Sequence, residues 1–289
     1  MYIAAPLIYA SAMSQFRQQI KSLMPPIISN WWSGIRGYRM HYVGPFDSWQ
    51  EAAVAADGYD AAEISQRVLT ATLKVQENRA AFERDGVAFD HQQYHWPLLS
   101  SLLWISNQTN RSLRVLDFGG SMGGVFLQHE PMLAECSVDW RIIEQPDYVD
   151  LSRQNIQHPA LSFHLSVDEA NSDGQANVAL LGSVLQYLQF PEHILTELNA
   201  TKIKYLIIDR TPFITPSNGK TQRRFFVQQV APQLYKASYP IQLLAKSELL
   251  EQLAPEWRVV TELPAAEGTQ VTDSGLAFEY SGLLLERCN

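Results

Sequence analysis

The chemistry most legible in this sequence lies in two acids and a cluster of glycines. The stretch Val115 to Gly124, VLDFGGSMGG, runs from an apolar segment into Asp117 and then places four glycines, Gly119, Gly120, Gly123 and Gly124, within six residues. Glycines that dense at a strand end let a ligand approach the backbone itself. Glu144 ends the next apolar segment, where an acid can accept hydrogen bonds from ribose hydroxyls.

The spacing discriminates between ligands. A dinucleotide fingerprint reads G-x-G-x-x-G, and counting from Gly119 puts Ser121 where the middle glycine must yield to a pyrophosphate. Asp117 precedes the first glycine by two residues, a poor position for meeting a diphosphate and a good one for meeting an ammonium, directly or through water. No Lys-Ser/Thr pair follows the glycines, which argues against a triphosphate loop. S-adenosylmethionine brings an ammonium and no phosphate, so it is the expected cofactor. Taken singly, Asp117 also reads as a helix cap and Glu144 as a surface carboxylate; their joint placement at adjacent strand ends favours the ligand.

A sheet must position these residues. From Arg111 onward strands and helices alternate, the signature of a mainly parallel sheet covered by helices. Strands are expected at 114–119, 139–145, 161–166, 178–184, 204–210, 257–263 and 278–287. Helices fit VFLQHEPMLAEC, YVDLSRQNI, FPEHILTELNA and KSELLEQLA between them, whereas a turn-rich stretch with Gly268, Asp273 and Gly275 separates the last two strands. The expected fold is a Rossmann-like α/β sheet closed by an antiparallel hairpin. Before it the pattern is helical: Ser48 caps a helix with Glu51 three residues on, Ile64, Val68, Leu69 and Leu73 share a face, Gly58 separates the two helices, and a further helix runs through FDHQQYHWPLLSSLLWISNQ with a kink or a new first turn at Pro97. The expected organisation is an N-terminal arm at 1–45, a helical cap at 46–110 and the ligand-binding domain at 111–289, with a lid insertion around 211–240.

Composition narrows the partners. The chain has 289 residues, 46% hydrophobic and 18% charged, which suits a folded α/β protein. Its net charge is −8 and no run of basic residues exceeds Arg223-Arg224, so nucleic acid is not an expected partner. Cys136 and Cys288 lack metal-ligand spacing, which fits a reducing, cytoplasmic location without structural zinc. Met1 to Met13 are uncharged and largely apolar, with no basic region ahead of them, and read neither as a signal peptide nor as a span. The segment that follows mixes Arg17, Lys21, Arg36 and Arg39 with Ile27, Ile28, Trp31 and Trp32. It reads as an arm packed on the domain or, alternatively, as a peripheral contact with the inner membrane. The sequence does not indicate an oligomeric state.

The string DFGGSMG resembles the first motif of class I S-adenosylmethionine-dependent methyltransferases, D/E-x-G-x-G-x-G, with Ser121 in place of one glycine. Glu144 in IIEQP matches the acid of their second strand, and LLGSVLQYLQFPEHIL is similar to their fourth-strand region. More narrowly, GYD (58–60), FERD (82–85), WPLL (96–99), SVLQYL (183–188), IIDRTPFI (207–214) and YKASYP (235–240) together resemble a bacterial methyltransferase family associated with lipopolysaccharide or capsule gene clusters. The resemblance covers roughly Phe46 to the C-terminus. It implies that Asp117 and the turn from Gly119 through Gly120 and Ser121 to Gly123 surround the methionine and sugar of the cofactor, with Glu144 on the ribose. Gln145 would lie beside the adenine, Ser166 would meet its amino group, and Ser183 to Tyr187 would run near the methyl group.

Methyl transfer from a sulfonium is an in-line displacement, so a hydroxyl acceptor needs alignment and removal of its proton. Asp209 and Arg210, ending the fifth strand, are the first candidates: Asp209 to take the proton and Arg210 to hold an anionic part of the substrate, the alternative being a structural ion pair. His95 is a second candidate base, and Tyr94 a candidate for lining the mouth of the site, on a helix expected to fold over it. His91 and His95, four apart on that helix, face the same way but lack an HExxH glutamate and a third ligand, so no metal is expected. Arg223, Arg224, Tyr235, Lys236 and Tyr239 fall in the lid, where aromatics stack on a sugar face or form local core; Tyr187 joins Arg224, Tyr235 and Tyr239 as a candidate for binding substrate.

The sequence therefore predicts a methyltransferase acting on a sugar hydroxyl of a surface polysaccharide or its precursor. Methylation of a small metabolite at oxygen or nitrogen is the alternative within the class. A non-catalytic S-adenosylmethionine-binding partner protein is the alternative outside it.

Overall fold

The computed structural model describes residues 40–56, 61–216, 222–230 and 237–288. The arm before Met40, together with Gly58, Tyr235 and Lys236, lies outside the described residues. The described chain opens with strand β1 (His41–Phe46), helices α1 (Trp49–Ala55) and α2 (Ala61–Gln76), a hairpin of β2 (Phe82–Arg84) and β3 (Val87–Phe89), and α3 (Trp96–Gln108). Ser48 caps α1, its hydroxyl accepting from the Glu51 amide at 3.2 Å.

The alternating part follows: β4 (Ser112–Phe118), α4 (Gly124–His129), β5 (Ser137–Ile143), α5 (Pro146–Asn155), β6 (Leu161–His164), α6 (Val167–Ala170), β7 (Val178–Gly182), α7 (Pro191–Ala200) and β8 (Tyr205–Ile214). After it come β9 (Arg224–Gln229), β10 (Ser238–Leu243), α8 (Lys246–Leu253), β11 (Trp257–Val271) and β12 (Ala277–Arg287). Seven strands form one sheet in the order β11-β12-β8-β7-β4-β5-β6. The strands from β4 to β8 are parallel, and β12 runs antiparallel to both its neighbours. The expected Rossmann-like sheet and closing hairpin are thus present, with the hairpin's second strand inserted between β8 and β11.

Both faces of the sheet are covered, so its central strands are apolar without interruption. Val115, Leu180 and Ile207 point into the cluster beneath α2, α3 and α5, while Leu116, Leu181 and Ile208 point into the cluster beneath α7 and α8. This two-residue alternation fixes the register that brings the ends of β4, β7 and β8 side by side. The chain reverses its direction of progress across the sheet between β4 and β7, and the crevice beyond that switch point is where open α/β sheets receive ligands.

The structure corrects the expected helix at 89–108. Residues 90–95 are irregular, α3 begins at Trp96, and Pro97 sits in its first turn, where its missing N–H costs nothing. His91 and His95 are therefore not paired on a helix face. Just upstream, Asp85 (φ 52°) and Gly86 (φ 73°) make the left-handed two-residue turn of the β2–β3 hairpin. The region expected to be a lid is also strand-rich: β8 continues to Ile214, and β9 and β10 join β1 in a separate antiparallel sheet of order β1-β9-β10. Tyr42, Phe226, Ile241, Leu243 and Phe278 form the core that ties this small sheet to the large one. Among the described residues no helix is long and apolar enough to cross a membrane.

Candidate functional site

The glycine turn joins β4 to α4 at the switch point. Ser121, where the methyltransferase motif that this turn resembles has a glycine, takes the left-handed conformation (φ 54°) that glycine would adopt at less cost. Gly120 is required for a different reason: a Cβ there would lie 2.5 Å from the carboxyl carbon of Asp117. The Asp117 carboxyl is thus packed directly beneath the turn, buried, with Trp140 Nε1 donating to it at 2.9 Å. Burial pushes its pKa up to about 7, against the Trp140 hydrogen bond, which favours the ionised form.

Glu144, just beyond β5, reaches across to the same turn. The Ser121 amide donates to its Oε1 at 3.2 Å and the Gln145 amide to its Oε2 at 2.8 Å. Burial raises its pKa while these two amides act in the opposite direction. A third carboxyl approaches from the hairpin: Glu83 is 6% exposed and accepts from the Gly86 amide at 3.3 Å. Burial pushes it up to about 7, and a Cβ on Gly124 would land on its Oε1.

The second group of residues lies at the end of β8. Pairing with β12 slips by one residue between Ile208 and Thr211, so that Asp209 and Arg210 form a bulge, with Arg210 at φ 47°. Bulges re-aim side chains. Asp209 is 1% exposed, and His95 Nε2 stands 3.0 Å from both of its carboxylate oxygens. Burial would raise the Asp209 pKa, but the His95 hydrogen bond and the charges of His95 and Arg210 outweigh it and hold the carboxyl below the usual range. A carboxylate only accepts, so His95 Nε2 carries the shared proton and Nδ1 is left to face other groups. Arg210 Nε lies 3.3 Å from Asp209 in an ion pair without hydrogen-bond alignment.

The segment carrying His95 is fastened to the C-terminal end of α4. Gln92 Nε2 donates to the Gln128 carbonyl at 2.6 Å, Gln128 Nε2 donates to the Gln93 carbonyl at 2.6 Å, and the His95 amide donates to His129 Nε2 at 3.0 Å. His129 Nδ1 in turn donates to the Val125 carbonyl at 2.7 Å, which fixes its neutral tautomer. Burial lowers its pKa to about 4. Tyr94 packs its ring against Trp96 and His129, at centroid distances of 5.4 Å and 6.1 Å.

The remaining predicted residues are less concentrated. Ser166 caps α6, accepting from the Glu169 amide at 3.1 Å, and Gln145 is exposed at the start of α5. Ser183 (φ 57°) follows β7; its amide donates to the Asp209 carbonyl at 2.9 Å and its hydroxyl accepts from Gln186 Nε2 at 2.8 Å. Tyr187 donates to Gln228 Oε1 at 2.8 Å and stacks edge-on with Tyr239 at 6.2 Å, so these two rings join the end of β7 to the small sheet. Arg224 is exposed at the start of β9, and Arg223 pairs with Glu192 at 3.3 Å. No group of three metal-ligating side chains occurs among the described residues. Sequence reasoning missed Glu83, His129 and Trp140; of these only Glu83 had a local signal, the Asp85-Gly86 turn beside it.

No family model matches the chain, and no curated protein matches its sequence. Among solved structures it is similar to the N-terminal domain of EvdMO1, crystallised in the presence of SAH and D-fucose, with 14% identity over 80% of this chain and 98% of that one and a TM-score of 0.46. A S-adenosylmethionine-dependent methyltransferase from Clostridium acetobutylicum ATCC 824 gives 9% identity over 67% and 92% of the two chains, with a TM-score of 0.42. SAM-bound CalS10, an amino pentose methyltransferase from Micromonospora echinaspora involved in calicheamicin biosynthesis, gives 12% identity over 68% and 92%, with a TM-score of 0.41.

Proposed function

We propose that this protein is an S-adenosylmethionine-dependent methyltransferase that methylates a hydroxyl group. The observation carrying the proposal is the convergence of Asp117 and Glu144 on one glycine turn at the switch point of the sheet, one carboxyl beneath Gly120 and the other on the Ser121 amide. Among the described residues neither makes an ion pair; Arg210, whose charge also acts on Asp117, is paired with Asp209. Two carboxyls without an ion-pair partner at a bare backbone suit a ligand with ribose hydroxyls and positive charge, and disfavour a diphosphate.

The donor supplies an activated methyl group. Transfer forms a bond from the acceptor oxygen to the methyl carbon as the bond from carbon to sulfur breaks, and the acceptor proton must leave. His95 takes that proton on Nδ1. Asp209, which the sequence favoured as base, instead holds the other side of the imidazole and fixes its tautomer and orientation. Its own carboxylate is sealed at 1% exposure, whereas the His95 side chain is 13% exposed. A positioned acid–base pair favours catalysis over a purely binding role. The acceptor class, a sugar hydroxyl of a surface polysaccharide or its precursor, rests on the sequence resemblance, and Tyr187 with Tyr239 supplies aromatic surface on that side.

Calorimetric titration with S-adenosylmethionine, S-adenosylhomocysteine and NAD tests the cofactor. Both adenosyl ligands should bind, NAD should not, and Glu144→Ala should lose the binding. Binding of NAD alone would remove the methyltransferase reading. A screen of sugar acceptors with labelled methyl donor then follows.

A further inference from the structure

Two carboxyls lie at the glycine turn and a third meets Gly124, where the helix after it begins; the proposed chemistry uses the first two. Glu83 is the third. It approaches from β2, a strand held against α4 by packing. Its Oε2 is occupied by the Gly86 amide, while Oε1 has no hydrogen bond among the described residues and leans on Gly124, the first residue of α4. A capping role would put a first-turn amide of α4 on Oε1, and none is there.

The charges facing Glu83 do not explain its burial. On its own hairpin Asp85 opposes its ionisation and Arg84 favours it, but Arg84 makes no ion pair with it. From α2, Arg67 donates to the Gly86 carbonyl at 3.4 Å. Glu83 as a whole is more than nine-tenths buried, yet Oε1 is not sealed: it is an open acceptor beside a glycine whose side chain would displace it, arranged to take a donor from outside the chain.

From this geometry we infer that Glu83 Oε1 receives an alkylammonium at the glycine turn, the α-ammonium of the adenosyl cofactor's amino-acid end. The inference rests on the proposed function and adds to it a binding residue from outside the alternating sheet. It also gives Gly124 a reason: the glycine leaves the space through which the carboxyl and the ligand meet.

The test compares two ligands that differ only at that end. S-adenosylhomocysteine carries the amino-acid group, and 5′-methylthioadenosine lacks it. By calorimetry, Glu83→Gln should weaken S-adenosylhomocysteine roughly tenfold to a hundredfold, the range for a charge-assisted hydrogen bond, and leave methylthioadenosine within about twofold. Gly124→Ala, which suits a helix and displaces the carboxyl, should give the same split and decides the matter if Glu83→Gln does not fold. Unchanged affinity for S-adenosylhomocysteine in both variants overturns the inference while the cofactor reading stands. Equal loss of both ligands overturns it in favour of a structural role. Failure of the wild-type protein to bind either ligand overturns the cofactor reading, and the inference with it.

Discussion

His95 Nε2 stands equidistant, at 3.0 Å, from the two carboxylate oxygens of Asp209, a residue 114 positions further along the chain. The pair joins an irregular segment ahead of the sheet to a bulge in its fifth parallel strand. Asp209 is sealed and His95 is not, so the proposed reaction gives them separate tasks: Asp209 orients and His95 exchanges the proton. Asp209→Asn keeps the shape and removes the charge, so turnover should fall by roughly 10²- to 10⁴-fold with little change in affinity for S-adenosylhomocysteine. His95→Gln should show the same pattern. Release of labelled product from the sugar-acceptor screen, beside calorimetry, checks both; a parallel loss of cofactor binding would place the pair in the cofactor pocket instead.

Asp117 and Glu83 should make the ligand-free protein less stable as pH rises. Both are raised in the fold to about 7, so each ionises in the unfolded chain first. Their contribution is full below the ordinary carboxylate range, declines from about pH 4, and is gone above about pH 7. Asp117→Asn removes its share of that decline, and at pH 8 the variant should be more stable than the wild type by on the order of a few kcal/mol while binding no adenosyl ligand. Melting temperatures of the two proteins across pH 4 to 8 test this. Parallel curves would mean that Asp117 is ionised in the fold.

Gly120→Ala should be disproportionately harmful for so small a change. The added methyl meets the Asp117 carboxyl group at 2.5 Å, and Asp117 cannot retreat because it is buried and bonded to Trp140. Either the turn or the acid must move. A loss of roughly 1–3 kcal/mol in stability and at least tenfold in affinity for S-adenosylhomocysteine is expected. Denaturant unfolding and calorimetry measure the two effects, and wild-type values for both would show that the turn has slack.

Much of this was legible in the sequence because it is local. The order of apolar segments gave the parallel strands, and the apolar-to-glycine transition at Val115 to Gly124 marked the turn with Asp117 at its start. Glu144 could be paired with it because adjacent parallel strands bring their ends together. The residues missed are those whose roles depend on pairing across the chain. Nothing near His129 indicates that its ring will hold the His95 amide 34 residues away, and Trp140 reads as an ordinary core residue until its indole is seen on Asp117. The helix expected over 89–108 obscured the irregular segment ahead of α3; of the two readings of Pro97, a kink or a new first turn, the second is the one found, with the helix starting at Trp96. The small sheet was missed for the same reason: β1 finds its partner β9 nearly the whole domain later.

His129 offers the sharpest separation of position from chemistry. Its Nε2 accepts the His95 amide and its Nδ1 donates to the Val125 carbonyl, so it reaches His95 through the backbone. His129→Gln can keep an acceptor for that amide, whereas His129→Leu cannot. The leucine variant should lose turnover by roughly tenfold or more with unchanged affinity for S-adenosylhomocysteine, and glutamine should restore most of it. Stability gives an independent check. The folded state keeps His129 neutral down to about 4, so the unfolded chain takes up a proton first as pH falls from about 6.5, and stability drops across that window. Both variants should lack this contribution, which opposes that of Asp117 and Glu83 over much of the same range, so it is read as the difference between variant and wild type. Equal turnover in the leucine and glutamine variants would show that His129 only fills space.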